Sequence, residues 1–209
     1  CWDTVRQQIK LLTNRNDEHM NSQLKLLFSI LMITALVFGF IHIYFPMEEY
    51  SFERLHIFLF NLCTGGTILL YYTQGRTSVS KTVQAFFIFS LGYALSAFFN
   101  LYEITLLVSI ILFVLVEAVR IQTFSLIPID FFTLRVSVSE KFHQASLLCL
   151  SIGIAMASVV ILNNEYFNWV SMNKLTLNTF FLGYSFPLSL ITLSLVFGML
   201  RKIEGSTSK

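Results

Sequence analysis

The chain has 209 residues and a formal net charge of +2, and it is 55% hydrophobic, 15% aromatic and only 12% charged. A soluble domain carries about 25% charged residues, and half that share cannot cover a globular surface, so water-soluble enzymes and binding modules are excluded. A charge of +2 is also too small to argue for nucleic acid as a partner.

In chain order, Trp2, Val5, Ile9 and Leu12 recur at helical spacing, with Arg6 and Lys10 elsewhere on the wheel. That pattern predicts a short amphipathic interfacial helix within residues 1–20, broken at Asn14 to Asp17. Charge-free runs follow at Leu26–Phe45, Ile57–Gly75, Thr82–Tyr102, Gln144–Asn164 and Leu175–Leu200. Each approaches the roughly 20 residues needed to cross about 30 Å of hydrocarbon. They lack the period-2 alternation of barrel strands, which leaves helices. A sixth run, Ile104–Val116, is short between Glu103 and Glu117. It reaches full length if the helix continues through Arg120, whose long side chain snorkels to the interface beside Glu117. The expected fold is thus all-α, a polytopic integral membrane bundle with helices at about 24–45, 53–74, 81–101, 103–121, 142–164 and 174–200. The transmembrane domain occupies 21–203 and residues 204–209 form a C-terminal tail. Phe45-Pro46 ends the first helix, Pro128 bends an interfacial segment at 124–132, and Pro187 is expected to kink the last helix.

Basic residues mark alternate connections. Arg6, Lys10, Arg15 and Lys25 precede the first helix. Arg76 and Lys81 follow the second, Arg120, Arg135 and Lys141 lie around the fourth connection, and Arg201, Lys202 and Lys209 end the chain. The remaining connections are poorer in Lys and Arg, so the positive-inside rule places both termini in the cytoplasm and supports six spans. Cys1, Cys63 and Cys149 are too few for a disulfide framework. A lipidated Cys1 sits badly with a cytoplasmic N-terminus, and residues preceding Cys1 are expected in the full product.

Several features recur between the halves. Glu53 and His56 are followed by Leu62-Cys63, and Glu140 and His143 by Leu148-Cys149. Leu91-Gly-Tyr93 is matched by Leu182-Gly-Tyr184. With three helices per half, the order predicts an inverted three-plus-three repeat of the kind many transporters use. The two Glu-x-x-His pairs fall on opposite membrane faces by helix parity, so they cannot share one metal; each otherwise marks a helix start, where a glutamate suits the dipole.

His42 and His56 are expected at similar depth on neighbouring helices, with His143 at the opposite face. All three are candidate haem or metal ligands, against the plainer reading of interfacial histidines bonded to water and headgroups. A midplane site is expected around Asn61, Cys63, Gly65, Gly66 and Cys149. Adjacent glycines permit close helix approach or a local break, and the cysteines are either small packing residues or a redox or metal pair. The sequence names no cofactor beyond haem as a candidate.

None of the five long runs holds Asp, Glu, Lys or Arg, which weakens proton pumping and ion coupling. Nor is there a hydrolase constellation, so no enzyme is expected. The leading expectation is a non-enzymatic, membrane-embedded subunit of a larger complex, a redox or electron-transfer one included, serving as anchor or cofactor scaffold. Its partners would be the bilayer and other membrane subunits. The alternatives are a small inverted-repeat transporter or channel for a neutral or weakly polar solute, and the sensor or anchor domain of a longer chain.

Overall fold

The computed structural model of the protein describes residues 22–44, 50–74, 79–124, 131, 136–170 and 182–207. Within them the chain is helical, with no strand. Six helices follow in order: α1 Ser22–Tyr44, α2 Phe52–Thr73, α3 Lys81–Phe98, α4 Tyr102–Thr123, α5 Val138–Phe167 and α6 Phe186–Thr207. Four of them, α1, α2, α4 and α5, are long and apolar enough to cross a membrane. The interfacial segment expected at 1–20, most of the bend at 124–132 and the start of the last helix at 174 lie outside the described residues.

Serines set three of the helix starts. Ser51 accepts the Arg54 amide to open α2, and Ser80 accepts that of Val83 to open α3. Ser137 and Glu140 exchange hydrogen bonds in a full capping box, satisfying two orphan amides at once. That box starts α5 at Val138, four residues before the expected 142. The α3–α4 corner turns through Asn100 at φ 57°, and the Leu101 amide bonds back to the Ser96 carbonyl at 2.8 Å.

α2 is the axis of the bundle. Of its apolar window 72% is buried, against 11% for α1 and 44% for α5. It packs on α1 along one side and on α3, α5 and α6 around the rest, with α4 against its last turns. Phe58, Leu62, Leu69 and Leu70 of α2 join Phe86, Tyr93, Leu112, Leu150, Ile154 and Tyr184 in one continuous core. α1 buries only Phe28 and Ala35.

Lipid supplies little hydrophobic drive between helices, so small residues and hydroxyls do the joining. Thr105 donates to Ser96 across α3–α4 at 3.0 Å, and Ser158 to Ser109 across α4–α5 at 2.8 Å. Ser139 and Ser194 form a reciprocal clamp between α5 and α6, each hydroxyl donating to the other's carbonyl at 2.8 and 2.7 Å. Gly198 leaves room for it, since a Cβ there lies 3.3 Å from the Ser139 hydroxyl.

Three features depart from the sequence reading. α2 is not a uniform α-helix: Phe58–Gly66 is π-helical between α-helical turns. Thr64 Oγ1 donates to the Leu59 carbonyl five residues back at 2.9 Å, feeding an acceptor that the wider turn leaves accessible. Pro187 does not kink a helix interior. A 3₁₀ turn, Leu182–Ser185, leads into α6 at Phe186, so the proline occupies a first turn, where its missing N–H costs nothing. At the chain's end α6 runs to Thr207, beyond the tail boundary expected at 204.

Candidate functional site

The first cluster lies where α1 ends and α2 begins. Ala35 and Gly39, one turn apart on α1, present little side chain to α2, and His56 fills the space. Its Nδ1 lies 2.8 Å from the Ala35 carbonyl oxygen. A Cβ on Gly39 would lie 3.1 Å from that same Nδ1, so the glycine is what admits the imidazole. A carbonyl only accepts, so Nδ1 carries a proton and donates to it. His42 Nε2 and the Glu53 carboxylate stand 3.9 Å apart, both partly exposed. Leu36, Gly39, Phe40, His42, Ile43, Glu53 and His56 together line a groove of about 330 Å³. On the far side of α2, Arg54 donates to the Asn100 side chain at 3.0 Å, and Tyr102 donates to the same oxygen.

The second cluster is the middle of α2. Cys63, Gly65 and Gly66 are buried in the π stretch, while Asn61 is half-buried. The Cys63 thiol neighbours Ser90 of α3, whose hydroxyl donates to the Phe87 carbonyl. Gly65 lies under Leu188 of α6, and Gly66 lies under the Phe86 ring of α3, with Leu150 of α5 beyond it. Cys149 is a free, half-buried thiol on α5. Just above, Phe58 packs edge-on against Tyr93 and Tyr184, with ring centroids 5.1 and 5.9 Å away. The two tyrosine hydroxyls, both fully buried, stand 3.5 Å apart. The paired Leu-Gly-Tyr motifs thus bring their tyrosines together at the centre. Asn61 finds no hydrogen-bond partner among the described residues.

The third cluster is at the opposite end. His143 Nε2 lies 2.8 Å from the Thr73 hydroxyl at the close of α2, with Phe124 edge-on to its ring. His143 is therefore a helix length away from His42 and His56, as helix parity requires. Nearby, Arg120 meets the Glu117 carboxylate at 2.6 Å, and Ser151 of α5 also donates to that carboxylate. The expected snorkelling of Arg120 does not occur. The residue is only 4% exposed, because the ion pair and the serine satisfy the charges inside the bundle. Beside His143 on α5, Gln144 is buried with its Nε2 unpartnered among the described residues.

Sequence reasoning placed Glu117 beside Arg120 but missed Ser151, Thr73, Ser96 and Gln144. Their only signal is a polar residue inside an apolar run, which spacing alone does not pair. Among the described residues no three His, Cys, Asp or Glu side chains gather as a metal-ligand group. The chain matches no protein-family model, no curated protein and no solved structure.

Proposed function

We propose that the chain crosses the membrane six times with both termini cytoplasmic, and that it serves as a non-enzymatic subunit of a larger membrane complex. The observation that carries this reading is Asn61. It stands near the middle of the central helix, half-buried, and its amide has no partner among the described residues. Lipid cannot hydrogen-bond an amide, and such side chains associate membrane helices by bonding across them. A helix from another subunit supplies the missing partner. The filled centre around Phe58, Tyr93 and Tyr184 also suits a scaffold better than a solute path.

The test is the native mass of the protein extracted from its own membrane in mild detergent. The wild type is expected to migrate well above its 24.0 kDa, and Asn61→Leu to shift towards the single chain. A wild type that runs as one chain overturns the reading.

A second reading, a small transporter built on an inverted repeat, draws on the π stretch ending at Gly65 and Gly66. π turns recur at functional breaks in helices. The meeting of Tyr93 with Tyr184 also fits equivalent residues on a pseudo-two-fold axis. Solute flux into proteoliposomes that Gly66→Ala abolishes would favour this reading.

A further inference from the structure

α5 ends in a group of exposed aromatic side chains that the bundle core does not use. Ile152, Met156, Val159 and Leu162 are exposed at spacings of three and four residues, so they form one face of the helix, the face that a crossing helix turns to acyl chains. Tyr166 continues that stripe at the helix end, and Phe167 and Trp169 follow it, Trp169 with 77% of its surface exposed. Neighbouring aromatic side chains left open in this way mark an interaction surface.

Two observations fix the depth of the group. The charge-free run Gln144–Asn164 is about 30 Å long at about 1.5 Å per residue, which is the thickness of the hydrocarbon. Glu165 and the aromatic residues after it therefore stand past its end, in the headgroup layer. Independently, Tyr166 shares a recess with Asn100, Tyr102 and Glu103, the corner where α3 turns into α4 and where Arg54 meets Asn100. A corner carrying those charged and polar groups belongs at the water boundary.

The end of α5 is also built to hold its shape. Asn168 takes the left-handed backbone at φ 49°, and its amide donates to the Asn163 carbonyl at 2.6 Å. The Asn163 side chain then ties the turn to Val170, its Nδ2 donating to the carbonyl and its Oδ1 accepting the amide, both at 2.9 Å. Phe167 and Trp169 stack with ring centroids 4.4 Å apart and planes within 11°. Side chains held like this lose little freedom when they engage a surface. Trp and Tyr each join an apolar ring to one hydrogen-bond donor, and the headgroup layer offers hydrocarbon together with ester and phosphate oxygens that accept.

We propose that residues 166–170 form a preorganised aromatic anchor that lies in the phospholipid headgroup layer and fixes the depth of α5, with Asn163 as its positioning residue. The anchor rests on the membrane crossing proposed above and is independent of the subunit contact at Asn61.

The chain's two tryptophans, Trp2 and Trp169, make the test direct. Trp2→Phe leaves Trp169 as the sole tryptophan emitter, and the full chain is reconstituted into phosphatidylcholine vesicles brominated either just below the ester groups or at the acyl-chain ends. Shallow bromines are expected to remove most of the Trp169 emission, and deep bromines or aqueous iodide little of it. Adding Asn163→Ala is expected to shift the emission to the red and to raise quenching by iodide, with the helical circular dichroism unchanged. A chain that floats with the vesicles, yet is quenched by iodide and by neither bromine, overturns the anchor and leaves the crossing standing. A chain that does not float with them overturns both. Strongest quenching by the deep bromines also refutes the headgroup depth, and wild-type emission and quenching in the Asn163→Ala protein remove the positioning role.

Discussion

Gly66→Ala isolates what the adjacent glycines do. An added Cβ would stand 2.9 Å from Cε1 and Cζ of Phe86, whereas carbon atoms pack best at about 3.5–4.0 Å. The shortfall is at least about 0.6 Å, and Phe86 has nowhere to go because its side chain is fully buried. Overpacking of this kind costs about 1–3 kcal/mol, while alanine recovers at most about 1 kcal/mol of helix propensity. With the full propensity gain subtracted, the net expectation is a loss of up to about 2 kcal/mol. Gly92 is the internal control: a Cβ there meets nothing within 4 Å, so Gly92→Ala shows the propensity gain alone. Gly65→Ala should cost at least as much as Gly66→Ala, since its Cβ would stand 2.7–2.8 Å from Cδ1, Cδ2 and Cγ of Leu188. Unfolding in mixed micelles with increasing dodecyl sulfate measures all three. Phe86→Leu should rescue Gly66→Ala in the double variant. If Gly66→Ala is as stable as Gly92→Ala, close packing is not the reason for the glycine pair.

Other perturbations follow from the polar joints. Glu117→Ala leaves the buried Arg120 without its carboxylate and is expected to destabilise by about 3 kcal/mol; adding Arg120→Leu should restore part of that in the same unfolding assay. Ser139→Ala removes one of the two hydroxyl-to-carbonyl bonds it shares with Ser194 and should cost about 1 kcal/mol, with a matching loss for Ser194→Ala and about the sum of the two in the double variant. For topology, single cysteines placed at positions 49 and 76 of a cysteine-free chain are expected to label from opposite sides of sealed cells. Equal labelling at both removes the six-span arrangement.

The helices were legible because length and charge-free composition decide them almost alone. α4 was drawn through Arg120 on length grounds, and it runs Tyr102–Thr123. The α5 start is readable as Ser137-x-x-Glu140, a capping-box pattern. The π stretch was not readable, since Phe58–Gly66 looks like any apolar run with two glycines; the wider turn depends on Thr64 reaching back to Leu59 and on α3 and α6 closing over Gly65 and Gly66. The polar contacts were legible only within one helix. Glu117 with Arg120 followed from three-residue spacing, whereas Ser151 joins them from another helix through a rotation that no pattern encodes.

The histidines show the same division. Position along a helix put His42 and His56 near one end and His143 near the other, and the structure keeps that separation. What each ring does was set by neighbours. His143 finds the Thr73 hydroxyl, which donates to the Leu69 carbonyl and so accepts from Nε2, and is thereby part of the bundle's own fabric. His56 finds a carbonyl, which makes its Nδ1 a donor. Nature orients metal-binding histidines through the same second-nitrogen contact, so the contact alone does not decide for or against a metal. Glu53 and His42 add no third ligand in metal-binding geometry among the described residues.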